Sequence, residues 1–108
     1  PMLVAQLVAA VERLAPAALA EDWDNVGLLL GRHNQPLRGV LVALELRDES
    51  WWCEAVLARL RARGVAFCIY DFAAQRSPFE VTAGFVYVRL HGPEGRYHGR
   101  YRDAQLGD

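Results

Sequence analysis

The chain has 108 residues, a formal charge of −1 and an apolar fraction of 53%. That length suits one compact domain with a core of its own. The near-neutral charge gives no electrostatic case for nucleic acid or an anionic membrane as a partner, and no apolar run approaches the roughly 20 residues a membrane span needs.

The first predicted element is an amphipathic helix over about residues 3–14. Leu3, Leu7, Val11 and Leu14 recur at helical spacing, and Val4 and Val8 widen the stripe. Pro16 ends it or opens a short turn across "PAALAED". Trp23, Asp24 and Asn25 follow; the two polar residues are expected to turn the backbone while Trp23 packs. "VGLLLG" reads as a short buried strand, "RHNQPLR" as a turn and "GVLVALEL" as the second strand. Only about eight residues join these two strands, too few for a parallel crossover, so they should form an antiparallel hairpin.

Asp48 or Ser50 can cap the next helix, which should run over 50–63 and stop at Gly64. "VAFCIYD" is the third strand and "GFVYVRLHG" the fourth. The second strand, the helix and the third strand make a right-handed βαβ unit. About thirteen residues lead to the fourth strand, just enough for another parallel crossover. "YRDAQLGD" starts a helix. The expected fold is therefore α/β, a mixed sheet of about four strands with helices packed on it, an N-terminal hairpin preceding the βαβ unit.

All twelve basic residues are Arg; that points to genomic bias and names no function. Cys53 and Cys68 form no CxxC pair, so neither a zinc nor a thioredoxin signature is present. They are expected to be reduced thiols in a cytoplasmic protein. The N-terminus lacks a basic region before its apolar run, so no signal peptide is expected.

"LAPAALAEDWDNVGLLLG" followed by "VLVALE" resembles the start of the Nif-three-like family, the GTP cyclohydrolase I type 2 homologues. The resemblance covers residues 2–45. It implies part of a toroidal α/β framework with a two-metal site. The paired histidines that would open that site do not follow here: His33, His91 and His98 stand apart. Residues 43–106 resemble the YecE-like family, domain of unknown function seventy-two, through "LELRDESWW", "ARGVAFCIYD" and above all "FVYVRLHG". That resemblance implies a middle slice of a (β/α) barrel and no known reaction. The chain thus reads as one composite domain, 1–45 joined to 46–108, the seam lying near "VLVALEL"; an engineered or selected join is the favoured origin.

Ligands of parallel α/β sheets bind beyond the carboxyl ends of strands. Glu45, Arg47, Asp71, Arg89 and His91 fall there and are the catalytic candidates. An Arg–carboxylate network that satisfies strand ends is the favoured reading of them. No metal site and no cofactor are expected. "HGPEG" reads as a turn rather than a phosphate loop. The favoured function is structural and non-catalytic, with self-association into a dimer or higher species through Trp51, Trp52, Leu28, Leu30, Phe85 and Tyr87. A metal-dependent hydrolase and a small binding module using "GPEGRYHGRYRD" are the alternatives.

Overall fold

The computed structural model describes residues 1–73, 75–92 and 99–106. It divides into two compact units, Pro1–Val40 and Leu41–Asp108.

In the first unit, helix α1 spans Val4–Leu14, within a residue of the stripe's prediction. Its first backbone donors lack a helical partner, as at any helix start. The neighbouring loop supplies them: Val4 N–H donates to the Gln35 carbonyl and Ala5 N–H to that of His33, both at 2.9 Å. The Gln6 side chain accepts from Leu3 N–H at 2.7 Å. A 3-10 turn at Ala17–Leu19 follows Pro16, and the Glu12 carboxylate accepts from Ala17 N–H. Asp24 turns the backbone as expected, its carboxylate accepting from Glu21 N–H at 3.1 Å. Trp23 does not pack: it is 78% exposed.

The expected strand at 26–31 is absent, and with it the N-terminal hairpin. Gly27 and Gly31 take φ of +93° and +104°, left-handed values that break an extended run at both ends. Leu30 is left 92% exposed.

The second unit holds the sheet. Strand β1 (Ala43–Leu44) leads through a 3-10 turn at Glu49–Trp51 into helix α2 (Glu54–Arg63). The helix expected over 50–63 is thus split, with Trp52 and Cys53 between its two parts. Asp48 caps the turn by accepting from Ser50 N–H at 2.9 Å. Gly64 ends α2 at φ +64°, and Val65 N–H reaches back to the Leu60 carbonyl at 3.0 Å, the usual left-handed helix stop. Glu54 in the first turn and Arg61 and Arg63 in the last complement the helix dipole.

Strand β2 (Ala66–Phe72) is the centre of the sheet. It pairs parallel with β1, antiparallel with β3 (Gln75–Arg76) and parallel with β4 (Tyr87–Leu90). The sheet is mixed and four-stranded, as the sequence implied, but its antiparallel member is β3. Each strand residue directs its N–H and C=O to one edge. Ala66 and Tyr70 serve one edge, bonding Val42 and Ser77; Asp71 serves the other, accepting from His91 N–H at 2.8 Å. Hence β1 and β3 share one edge of β2 and β4 has the other. Ala73, at the β2–β3 turn, has φ +54°, the sign that a tight hairpin turn demands.

Helix α2 covers one face of this sheet. Leu57, Leu60 and Phe67 form the core, joined by Leu46, Trp52, Val65 and Ile69. Phe67 is 1% exposed; burying such a ring stabilises by roughly 1.5–3 kcal/mol. On the β4 edge of β2, Thr82 accepts from Phe67 N–H at 2.8 Å and donates to the Val65 carbonyl at 2.6 Å. The tail forms a short helix α3 (Asp103–Leu106). Residues 93–98, which hold the last three residues of "HGPEG", half of "GPEGRYHGRYRD" and His98, lie outside the described residues.

Candidate functional site

Side chains alternate across a strand. Cys68, Tyr70 and Phe72 of β2 therefore leave the sheet opposite to Phe67 and Ile69, which meet α2. The registers Cys68↔Tyr87 and Tyr70↔Arg89 put Tyr87 and Arg89 on that same face, and Ala43↔Ala66 does so for β1. Glu45, Arg47 and His91 continue the alternation just past the ends of β1 and β4.

Glu45 is the hub. Its carboxylate accepts from Arg47 Nε at 2.9 Å and from His91 Nε2 at 2.9 Å. Arg89 reaches both of its oxygens at 3.5 Å. The Cys68 thiol donates to it at 3.8 Å. His91 is 2% exposed, and its ring stands edge-on to Tyr70 and Phe72, 6.3 and 5.3 Å between centroids. The Arg47 guanidinium lies over Phe72 at 4.6 Å and Tyr70 at 5.3 Å, which fixes its planar fork toward Glu45.

The electrostatics follow from this wiring. Burial alone would raise the Glu45 pKa. The hydrogen bonds from His91 and Arg47, with the charges of Arg47 and Arg89, outweigh it and hold the carboxyl below its ordinary range. Burial first, then the Glu45 charge, pushes the Cys68 thiol up to about 11. Glu45 is thus a committed carboxylate, and Cys68 a protonated thiol with little nucleophilic character. Burial also raises Tyr70.

Four of the five sequence candidates, Glu45, Arg47, Arg89 and His91, come together. Asp71 does not: its position in β2 directs it to the opposite face, where it pairs with Arg76 at 3.4 Å. Cys68, Tyr70 and Phe72 belong to the cluster and were missed, although the alternation in "AFCIYDF" carries the signal. Among the described residues, no group of three or more His, Cys, Asp or Glu side chains stands so as to hold a metal ion. No helix of the described residues is long and apolar enough to cross a membrane.

Of the expected contact residues, Trp52 is half-buried and its indole N–H donates to the Leu46 carbonyl at 2.8 Å, which ties it to the core. Trp51 faces outward, 52% exposed, and Tyr87 is 49% exposed. Leu28 and Phe85 are half-buried.

A βαβ unit within a mixed four-stranded sheet makes this an α/β fold. Within that class the chain belongs to the family described as protein of unknown function DUF72, whose model matches residues 2–108. The match extends across the segment that the sequence set apart as a separate fragment. The chain is also similar to the GTP cyclohydrolase 1 type 2 homolog of Staphylococcus aureus (strain COL), 43% identical over 44 residues, 41% of this chain and 12% of that protein. To the homolog of the same description from Staphylococcus epidermidis (strain ATCC 35984) it is 35% identical over 48 residues, 44% of this chain and 13% of that one. The aligned segment thus spans about an eighth of the curated relatives' length. No solved structure matches the chain.

Proposed function

We propose that this chain is a non-catalytic α/β element that works by self-association, a second copy completing its sheet. The observation that carries this is β4. It pairs with β2 alone among the described strands, and Tyr87, Val88 and Leu90 are each about half exposed. An open parallel edge of that composition pairs readily with another chain. A two-fold dimer is the commonest closed solution. Trp51, Phe85, Tyr87, Leu28 and Leu30 are the contact residues of this reading.

The non-catalytic part rests on the wiring of the polar layer. Glu45 is held ionised by its donors and the Cys68 thiol is held protonated, so neither is poised to exchange a proton near neutral pH. The finer reading of the chain is a join of two fragments near Val40–Leu46. It is supported by the boundary between compact units at Val40 and Leu41 and by the 44-residue similarity to a second family. Two free cysteines, Cys53 exposed, suit a reducing, cytoplasmic setting.

Sedimentation velocity across roughly 1–100 μM, a span that brackets the affinity of an ordinary stable interface, tests the association. A dimer or larger species is expected, and Val88→Lys on the exposed edge should shift it to monomer. A wild-type chain that stays monomeric throughout, with a folded far-UV spectrum, would sink the proposal.

A further inference from the structure

Two apolar surfaces of this chain are left open, and each has the shape the other needs. The first is helix α1. An amphipathic helix has to bury its stripe against another element, yet none of its residues is buried. Val4, Leu7 and Val8 of the stripe are half-buried, Val11 is exposed, and Leu14 is 87% exposed. No residue of the whole first unit is buried. The second surface is the α2 face of the sheet. The registers Ile69↔Val88 and Asp71↔Leu90 put Val88 and Leu90 on that face. Leu57 and Leu60 of α2 cover Phe67, but Val88 and Leu90 stay about half exposed, and Phe79 and Val81 are more exposed still. Ile69, Phe79, Val81, Val88, Leu90 and Tyr101 line a cleft of about 380 Å³ there. The charged groups in its lining, Asp71 and Arg76, are paired with each other at 3.4 Å. The cleft therefore offers apolar contact more than polar recognition.

The dimensions agree. With 11 residues, α1 is about 16 Å long; the four residues of β4 span about 13 Å. The stripe and the cleft each offer on the order of 400 Å² of apolar surface, at roughly 60–120 Å² per aliphatic side chain. A single helix-in-cleft contact thus reaches only about half of the ~800 Å² per partner that a stable interface buries. A reciprocal exchange, in which each chain gives its helix and receives the other's, reaches the full scale. That selects a second copy over an unrelated helical partner, which would bring one contact alone. We propose that α1 of one chain docks in this cleft of a second copy, and α1 of that copy in the first, a two-fold contact that sets Val4, Leu7, Val11 and Leu14 against Ile69, Phe79, Val81 and Val88. It rests on the self-association reading and gives it a second surface. The edge contact uses the outer backbone of β4; this one uses the side chains on its α2 face. None of Trp51, Phe85, Tyr87, Leu28 and Leu30 lines the cleft.

A nitroxide on Ala9→Cys, exposed and opposite the stripe, reports where α1 goes. Cys53→Ser removes the exposed native thiol and keeps a helix-capping residue. An excess of this labelled full chain is mixed with a 15N chain that carries no nitroxide. The Val81, Val88 and Leu90 amides of the 15N chain should lose at least about half their intensity, since the excess chain fills most clefts by mass action. In parallel, Leu14→Glu and Val81→Glu, at residues 87% and 59% exposed and so tolerant of substitution, should each weaken dimerisation at least about tenfold by placing a carboxylate in an apolar contact. Undiminished dimerisation of either folded variant would overturn the proposal. Broadening seen only when one chain carries both labels would overturn it too, because the cleft would then hold the chain's own helix. Molecular mass is read on the same samples. A dimer without broadening defeats the helix exchange and leaves self-association standing, whereas a monomer defeats both.

Discussion

Replacing Glu45 with Gln removes the charge on which the polar layer converges and changes little in volume. The amide keeps one acceptor and turns the other into a donor, which must then face Arg47 Nε or His91 Nε2. Hydrogen bonds to charged groups are worth about 1.5–3 kcal/mol each. The bond to His91, 2% exposed, carries that weight. The link to Arg47, whose side chain is 44% exposed, is screened and contributes about 0–1 kcal/mol, and the 3.5 Å contacts of Arg89 add less. The expected loss is about 2–3 kcal/mol of a total near 5–15, read by urea denaturation at pH 7 as a lower midpoint with an unchanged slope. The pH dependence has a definite sign. The folded pKa of Glu45 lies below the ordinary 4.5, so its contribution is complete above that value and is lost as pH falls through the folded pKa. The gap between wild type and Glu45→Gln should therefore narrow in acid below about pH 4.5. A variant within about 0.5 kcal/mol of wild type at pH 7, the range of an inert surface change, would refute the hub assignment; so would a gap that stays constant down to acid pH.

Thr82→Val preserves shape but leaves the Phe67 N–H, now bonded at 2.8 Å, without its acceptor. That should cost about 1–3 kcal/mol in the same urea assay; no measurable loss would mean that Thr82 does not seal that edge of β2. Cys53 is exposed and Cys68 is buried with its thiol pushed up to about 11. At pH 8 only about a thousandth of Cys68 is thiolate, so a disulfide reagent should label one thiol in the native chain and two in denaturant. Rapid native labelling of both would contradict the placement of β2 at the centre of the sheet.

The elements read correctly from sequence are those with a local cause. Helix α1 follows from a stripe at 3.6-residue spacing, and α2 from that spacing plus a glycine stop at Gly64. The βαβ unit follows from chain length alone, because strand, helix and strand at that spacing have one favoured handedness. "VGLLLG" failed for a complementary reason. A short apolar run has no periodicity to read, and a strand exists only where a partner supplies its hydrogen bonds. The two glycines that bound it, both at positive φ, remove the extension such a partner would need. Strand β1 is shorter than the apolar run around it because β2 offers it few free groups. Ala66 bonds Val42, but Tyr70, two alternations further along that edge, is already engaged by Ser77.

The candidate site obeys the same division. Position along the sheet was legible, since charged residues just past apolar strands mark the carboxyl ends, and Glu45, Arg47, Arg89 and His91 were found that way. Which face each occupies was not legible, because parity depends on register and a one-residue slip inverts every side chain. Asp71 shows this directly. It sits at the correct end of β2, yet the pairing Tyr70↔Arg89 gives the shared face to the residue before it. Tyr70 then lies beneath Arg47, and Asp71 turns away to Arg76. The register itself is favoured by what Asp71 leaves behind. In the observed alignment Phe67 meets Leu57 and Leu60, and one carboxylate meets two guanidinium groups and a buried imidazole. A one-residue slip would set Asp71 beside Glu45 and turn Phe67 away from α2. The apolar and the charged halves of the second unit therefore select the same register, each through the face the other does not use.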